Sequence, residues 1–331
     1  MKMTQVVTTA VLIGVMSLAA RAQTQVPRTV AATAPLTTAT AKAQTGQPFV
    51  TSGGMELLYI PPGEFMMGST RQEREWALQN GSDENLVRCE GEAPRKTAVK
   101  QGFWLGKTEV TVGQWKLFVA ATRYVTDGEK NGVSYSTAGP AQTWRPMKGV
   151  SWKEPNFGFK PKDNHPVCCI SWNDATAFCA WLNEQEQKAR RLPPGCIVRL
   201  PTEAEWEYAC RAGKRTMFWW GQARESGDYR MNCFGKGDGF DIVSPVDHYA
   251  RGRNKFGLAD MLGNVWEWCL DEFDEKQAHE EPFKGNPGAH ALRGGSFHFH
   301  LGCCRAASRY GCPPANSNSN HGFRVALGGN R

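Results

Sequence analysis

Between Gly257 and Trp268 the chain packs two glycines, two carboxylates, an amide and two indoles into twelve residues, a mixture too irregular for one helix or strand. A tight loop is predicted, with the glycines permitting the bends and the indoles anchoring them in a core. Asp260 and Glu267 would then bring hard oxygen atoms together, the donor type that suits a calcium ion. Upstream, Asn232-Cys233 and Asp238-Gly239-Phe240 repeat the recipe of amide and carboxylate oxygens around a glycine. Calcium loops outside EF-hands have no single spacing, so the same residues would serve equally as polar turns without a metal.

Softer donors lie further on, where Ser296, His298, Phe299, His300 and the adjacent pair Cys303-Cys304 crowd one short run. His298 and His300 alternate, so on a strand they share one face, either as two metal ligands or as a plain polar face. The two cysteines offer thiolates that select soft metals, or else buried or disulfide-bonded sulfur. Eleven cysteines are present and none has C-x-x-C spacing, which argues against a zinc ribbon. Cys179, Cys210 and Cys269 sit among large apolar residues and read as buried thiols. Asn316 to His321 is a polar loop, either a solvated turn or a recognition surface.

Three helices are predicted to hold these groups in place. Thr111 caps one that buries Trp115, Phe118 and Val119. Ser171 with Asp174 opens a second, which buries Phe178, Trp181 and Leu182. Thr202 with Glu205 opens a third, with Trp206, Ala209 and Cys210 inward and a stop at Gly213. The acids of 202–207 are explained by this helix start and need no catalytic role. Gly54 to Met67 reads as a hairpin about Pro61-Pro62-Gly63, Phe103 to Val110 as strand, and Arg71 to Pro94 as a charged surface insertion. Gly128 to Lys162 lacks a sustained period and is expected to be a long loop pinned by Trp144 and Trp152.

With 331 residues the chain suffices for one large domain. Residues 1–22 carry Lys2, an apolar run and Ala20-Arg21-Ala22, the pattern of a secretory signal peptide cleaved near Ala22. The protein is therefore expected to be exported, to the periplasm or the extracellular space. Residues 23–47 are rich in Thr, Ala and Pro and are expected to be a disordered tether, leaving 48–331 as the domain. No other long apolar stretch follows, so no transmembrane segment is expected. The net charge of +7 is spread along the chain without interleaved aromatics, which gives nucleic-acid binding little support.

Several blocks in order resemble the sulfatase-modifying-factor, or formylglycine-generating-enzyme, domain family. They are residues 60–68, His165-Pro166-Val167, Ser171-Trp172, residues 199–207, residues 263–268, Arg293-Gly294-Gly295-Ser296 and Gly322-Phe323-Arg324. The resemblance implies an α+β, C-type-lectin-like fold, rich in loops and low in regular secondary structure, with two calcium ions. It places one ion on Asn232, Cys233, Asp238 and Phe240, with Cys233 and Phe240 offering carbonyls. The other falls on Asp260, Gly263, Val265 and Glu267.

In the family's oxidases two cysteines, three and eight residues past the serine, hold a copper(I) ion that activates oxygen to convert a cysteine of a client sulfatase into formylglycine. Ser296 matches here and Cys304 lies at the second position, but Phe299 stands at the first. A phenyl ring supplies no thiolate. The run after Ser296 is also short, in the manner of relatives that carry Cys-Arg-x-Ala-x-Arg, among them the variable proteins of diversity-generating retroelements. The leading expectation is thus an exported recognition module for a protein, peptide or small ligand. Its surface would comprise His298, Phe299, His300, Cys303, Tyr310, Asn316, Asn318 and Asn320. An oxidase using Cys304 and Ser296, with copper and a client sulfatase, is the alternative, and a retroelement-diversified display protein a third.

Overall fold

The computed structural model describes residues 46–82, 84, 87, 94–138, 143–222, 230–235, 239–273 and 288–330. The expected leader, the tether through residue 45 and Asp238 lie outside them. Five helices open on a reciprocal capping box. These are Thr70/Glu73 for α1 (Arg71–Gln79), Thr111/Gln114 for α2 (Val112–Thr122), Thr126/Glu129 for α3 (Asp127–Asn131), Ser171/Asp174 for α4 (Trp172–Lys188) and Thr202/Glu205 for α5 (Glu203–Arg211). In each, the hydroxyl accepts from the third helical N–H while the third side chain reaches back to the cap N–H, satisfying two groups the helix leaves over. Helices α2, α4 and α5 begin where the sequence places them. The expected insertion at Arg71 instead begins with α1, whose single fully buried residue, Ala77, gives it almost no apolar stripe to read.

The strands are β1 (Phe49–Val50), β2 (Glu56–Ile60), β3 (Gly63–Met67), β4 (Arg95–Val99), β5 (Phe103–Gly106), β6 (Val133–Ala138), β7 (Thr143–Lys148), β8 (Cys196–Arg199), β9 (Trp266–Glu272), β10 (His290–Arg293), β11 (Arg309–Cys312), β12 (His321–Gly322) and β13 (Ala326–Gly329). One sheet runs β1-β2-β5-β13-β8 and a second β11-β10-β9-β12, with two separate ribbons, β3-β4 and β6-β7. Two expectations fail here. β2 and β3 are not a hairpin: the prolines between them supply no ladder donors, and β3 leaves to pair with β4, Phe65 opposite Thr97. The stretch expected as a long loop contains α3 and the β6-β7 ribbon. Its buried face is Ser134 and Ser136, whose hydroxyls meet Ser317 at 2.8 Å and Ser319 at 3.0 Å, so no apolar alternation betrays it.

The C-terminal segment joins the two sheets. β12 pairs parallel with β9, and a few residues later β13 lies between β5 and β8. Beside it Trp115 stacks on Phe178 at 5.7 Å, with Phe118 and Phe323 closing the cluster edge-on. Each fully buried ring of this size contributes on the order of 1.5–3 kcal/mol. A second apolar cluster forms around Trp206, Phe218, Met261 and Leu262 and includes the buried Cys210, Cys269 and Cys304.

Candidate functional site

The Arg-Gly-Gly-Ser run leaves β10 through two left-handed residues, Gly294 (φ 97°) and Gly295 (φ 79°). At Gly295 a Cβ would lie 2.5 Å from Cys304 Sγ, so both the backbone and the space demand glycine. The bend buries Ser296, whose Oγ accepts from Asn320 Nδ2 at 3.0 Å. Asn320 in turn gives its carbonyl to the Trp266 N–H at 2.8 Å. Around this pair stand Trp266, Tyr310, His321 and Phe299: Trp266 lies 5.7 Å from the Phe299 ring and 6.0 Å from Tyr310, and Tyr310 lies 6.3 Å from His321.

Phe299 therefore occupies an aromatic enclosure at the position where a first thiolate was sought. Cys304 is fully buried behind it, its Sγ facing the carbonyls of Ser296 and Phe299, each at 3.7 Å. Burial pushes this thiol well above its ordinary range, with Cys233 and Cys303 adding to the effect. The adjacent Cys303 turns elsewhere, toward Gly81 O at 3.7 Å and Ser82 Oγ at 3.6 Å. Among the described residues no three His, Cys, Asp or Glu side chains form a metal-holding group.

His298 and His300 are not on a strand. They lie in the turn that precedes a 3-10 segment, Leu301–Cys303, and flank Phe234, whose ring is 6.3 Å from His298 and 4.6 Å from His300. Trp144 of β7 lies 5.0 Å from His298 on its other side. Phe234 and Trp144 thus belong to the surface, although in the sequence Phe234 sits among oxygen-bearing residues and Trp144 has the look of a buried anchor. Tyr310, Asn316, Asn318, His298 and Phe299 are half-buried and His300 is exposed, whereas Cys303 and Asn320 are neither. Both are buried, Cys303 in the packed 3-10 turn and Asn320 beneath Ser296.

Beside this lies the loop of residues 257–268. Its end departs from expectation, since Trp266 to Trp268 already belong to β9. Its Gly263 (φ 75°) approaches Asn232 so closely that a Cβ would sit 2.2 Å from the Asn232 carbonyl. That carbonyl accepts the Asn264 N–H at 2.7 Å, so Asn232 is joined directly to this loop. Asn264, not singled out in the sequence, is its hub: its Oδ1 accepts from Asn232 Nδ2 and Ser244 N, and its Nδ2 donates to Glu109 Oε1 at 3.0 Å. Glu267 gives both oxygens to Arg324, and one also to Trp206 Nε1 at 2.7 Å. Arg324 spends its remaining donors on the carbonyls of Gly106, Ala259 and Asp260.

Other oxygens here find no donor. Buried Glu109 Oε2 and Asn232 Oδ1 have no hydrogen-bond partner. Burial, with the charge of Asp260 nearby, lifts the Glu109 carboxyl well above its usual range, and burial lifts Asp260 to about 6. Unpaired hard oxygens in a pocket of excess negative charge are the donor set that a hard cation such as calcium fits. Asp260 itself (φ 53°) accepts the Asp247 N–H at 2.6 Å.

The sulfatase-modifying factor enzyme 1-like domain family matches residues 43–328, and the chain belongs to it. Formylglycine-generating enzyme of Mus musculus is 33% identical over 306 residues, 82% of this chain and 74% of that protein. Inactive C-alpha-formylglycine-generating enzyme 2 of Bos taurus is 28% identical, covering 84% of this chain and 89% of its own. The structure of PvdO from Pseudomonas aeruginosa superposes with a TM-score of 0.63 at 22% identity, over 86% of this chain and 99% of that one, which fixes the C-type-lectin-like fold. No helix of the described residues is long and apolar enough to cross a membrane.

Proposed function

We propose that this chain is an exported, calcium-stabilised member of the family that recognises a peptide or small ligand and does not oxidise a cysteine. The observation that carries the reading is the Phe299 ring packed edge-on against Trp266, three residues past Ser296. Copper(I) held by two thiolates supplies oxygen activation in the oxidases. With a ring at 299 and Cys304 buried behind it, the residues present do not fit that ion in the expected way. Trp144, Phe234, His298, His300 and Tyr310 instead offer aromatic edges and imidazole hydrogen-bonding groups, and half-buried Asn316 and Asn318 would add amide groups. Such a surface suits an extended peptide or a small ring-bearing ligand. Asn232, Asp260 and Glu267, with the carbonyls of Cys233, Phe240, Gly263 and Val265 and with Asp238, would hold calcium and thereby fix the loop beneath that surface; Glu109 supplies a further unpaired oxygen. Export rests on the signal-peptide pattern of residues 1–22.

A second reading has one observation in its favour. Cys233 packs against the apolar cluster that buries Cys304, and the next residue's N–H donates to the Phe299 carbonyl that Cys304 Sγ faces, so an oxidase could draw its second sulfur from outside the Ser296–Cys304 run. Oxygen uptake by copper(I)-supplied protein with a sulfatase-type cysteine peptide separates the two. The recognition reading expects no uptake above the peptide-free rate; uptake abolished by C304S overturns it.

A further inference from the structure

One backbone atom joins two cysteine-bearing segments. The Phe299 carbonyl accepts the Phe234 N–H at 2.9 Å and also faces Cys304 Sγ at 3.7 Å. The residue after Cys233 is therefore anchored on the atom that the Cys304 thiol points to. Cys233 itself, partly exposed, packs against the apolar cluster in which Cys304 is wholly buried. Cys303, though next in sequence to Cys304, faces Gly81 and Ser82 and is held away from this contact. One thiol of the pair is thus reachable from solvent and the other lies behind it, the arrangement of an attacked and a resolving cysteine.

We propose that Cys233 and Cys304 form a thiol–disulfide switch, driven by a low-molecular-weight disulfide, that locks the Phe234 loop onto the 296–304 segment. In the first step the Cys233 sulfur attacks the external disulfide, forming a mixed disulfide and releasing one small thiol, which takes up the Cys233 proton. In the second the Cys304 sulfur attacks the Cys233 sulfur, closing the protein disulfide and releasing the second small thiol with the Cys304 proton. Two electrons pass from the protein to the external disulfide, and no metal takes part. The consequence is local to the recognition surface: Phe234 stands between His298 and His300, so the bridge holds that ring in place and reduction releases it. An exported protein would meet an oxidising thiol pool, in which the bridged form is favoured.

The test uses the full chain, reduced and then equilibrated with mixtures of oxidised and reduced glutathione in the presence of a copper(I) chelator. Remaining thiols are blocked with N-ethylmaleimide, and the protein is digested with trypsin. The expected product is residues 231–236 joined to residues 294–305, at the summed mass less two hydrogens. It is retained in C303A and lost in C233S. Amide exchange at 231–234 and 297–300 should slow in the bridged wild type and remain unchanged in oxidised C233S. Cys233 trapped as a glutathione adduct with Cys304 alkylated, or Cys304 bridged to any other cysteine, overturns the proposal. The bridge itself stands apart from the recognition reading, on which only its consequence for a ligand and its oxidising setting rest: the chelator and the absence of peptide remove oxidase chemistry, so failure of the bridge leaves that reading untouched.

Discussion

Two buried groups of acids, a few residues apart in space through Glu267 and Arg324, have opposite fates. At α5, Glu203 meets Arg293 and Arg309, Glu205 is gripped by both arms of Arg199, and Glu207 meets Arg211 and Arg293. Burial alone would raise these carboxyls, yet the arginines hold Glu203 and Glu207 below their ordinary range. At the loop, Glu109 and Asp260 are equally buried but share only Arg324, already committed to Glu267, and both are raised. The same residue type at the same depth is structural where a guanidinium answers it and unsatisfied where none does. On the calcium-holding reading, the second group is completed by a hard cation from outside the chain.

The comparison breaks most visibly at Glu207. E207A leaves Arg211 and one arm of Arg293 uncompensated in the core and should cost about 3–5 kcal/mol, read as a lower urea midpoint. Because Glu203 and Glu207 are held low, their contribution is present above the ordinary carboxyl range near 4.5 and is lost as pH falls through their depressed folded values. The loop group is tested by chelation, which should remove about 2.7 kcal/mol if calcium had been present at a hundred times its dissociation constant. An unshifted unfolding temperature on chelation would mean that the unpaired oxygens hold no such ion.

His321 offers a third buried titratable group, kept neutral instead of charged. Burial lowers it to about 3, and its Nδ1 has no hydrogen-bond partner. The unfolded chain takes up a proton near pH 6.5 and the fold does not, so stability should fall by about 1.4 kcal/mol per pH unit between 6.5 and 3. H321L should flatten that part of the profile; an unchanged slope would show that His321 is not its source. The smallest effect is expected of E109Q. It keeps the Asn264 contact, removes a buried ionisable group, and should raise metal-free stability slightly while reducing the gain from added calcium.

Much of the scaffold was legible in the sequence because its signals are local. Ser171/Asp174 and Thr202/Glu205 mark helix starts by spacing alone, and the stripes of Trp115, Phe178 and Trp206 mark what those helices bury. The matched blocks from residue 60 to Arg324 carried the fold. What escaped was held by contacts distant in sequence. The β6-β7 ribbon buries serines against Ser317 and Ser319, and Asn264 earns its place only where Glu109, Ser244 and Asn232 converge on it. Trp144 became part of the candidate surface by lying against His298, which no period could announce. The reading of Phe299 as the residue that displaces a thiolate was available from spacing, but its seat against Trp266 was not.

That seat is the centre of the account, and oxygen chemistry tests it most directly. Wild-type protein supplied with copper(I) and a cysteine peptide of the sulfatase type should leave the peptide thiol intact by mass spectrometry and consume no oxygen beyond the peptide-free rate. Conversion of the peptide cysteine to formylglycine by the wild type, abolished in C304S, would contradict it.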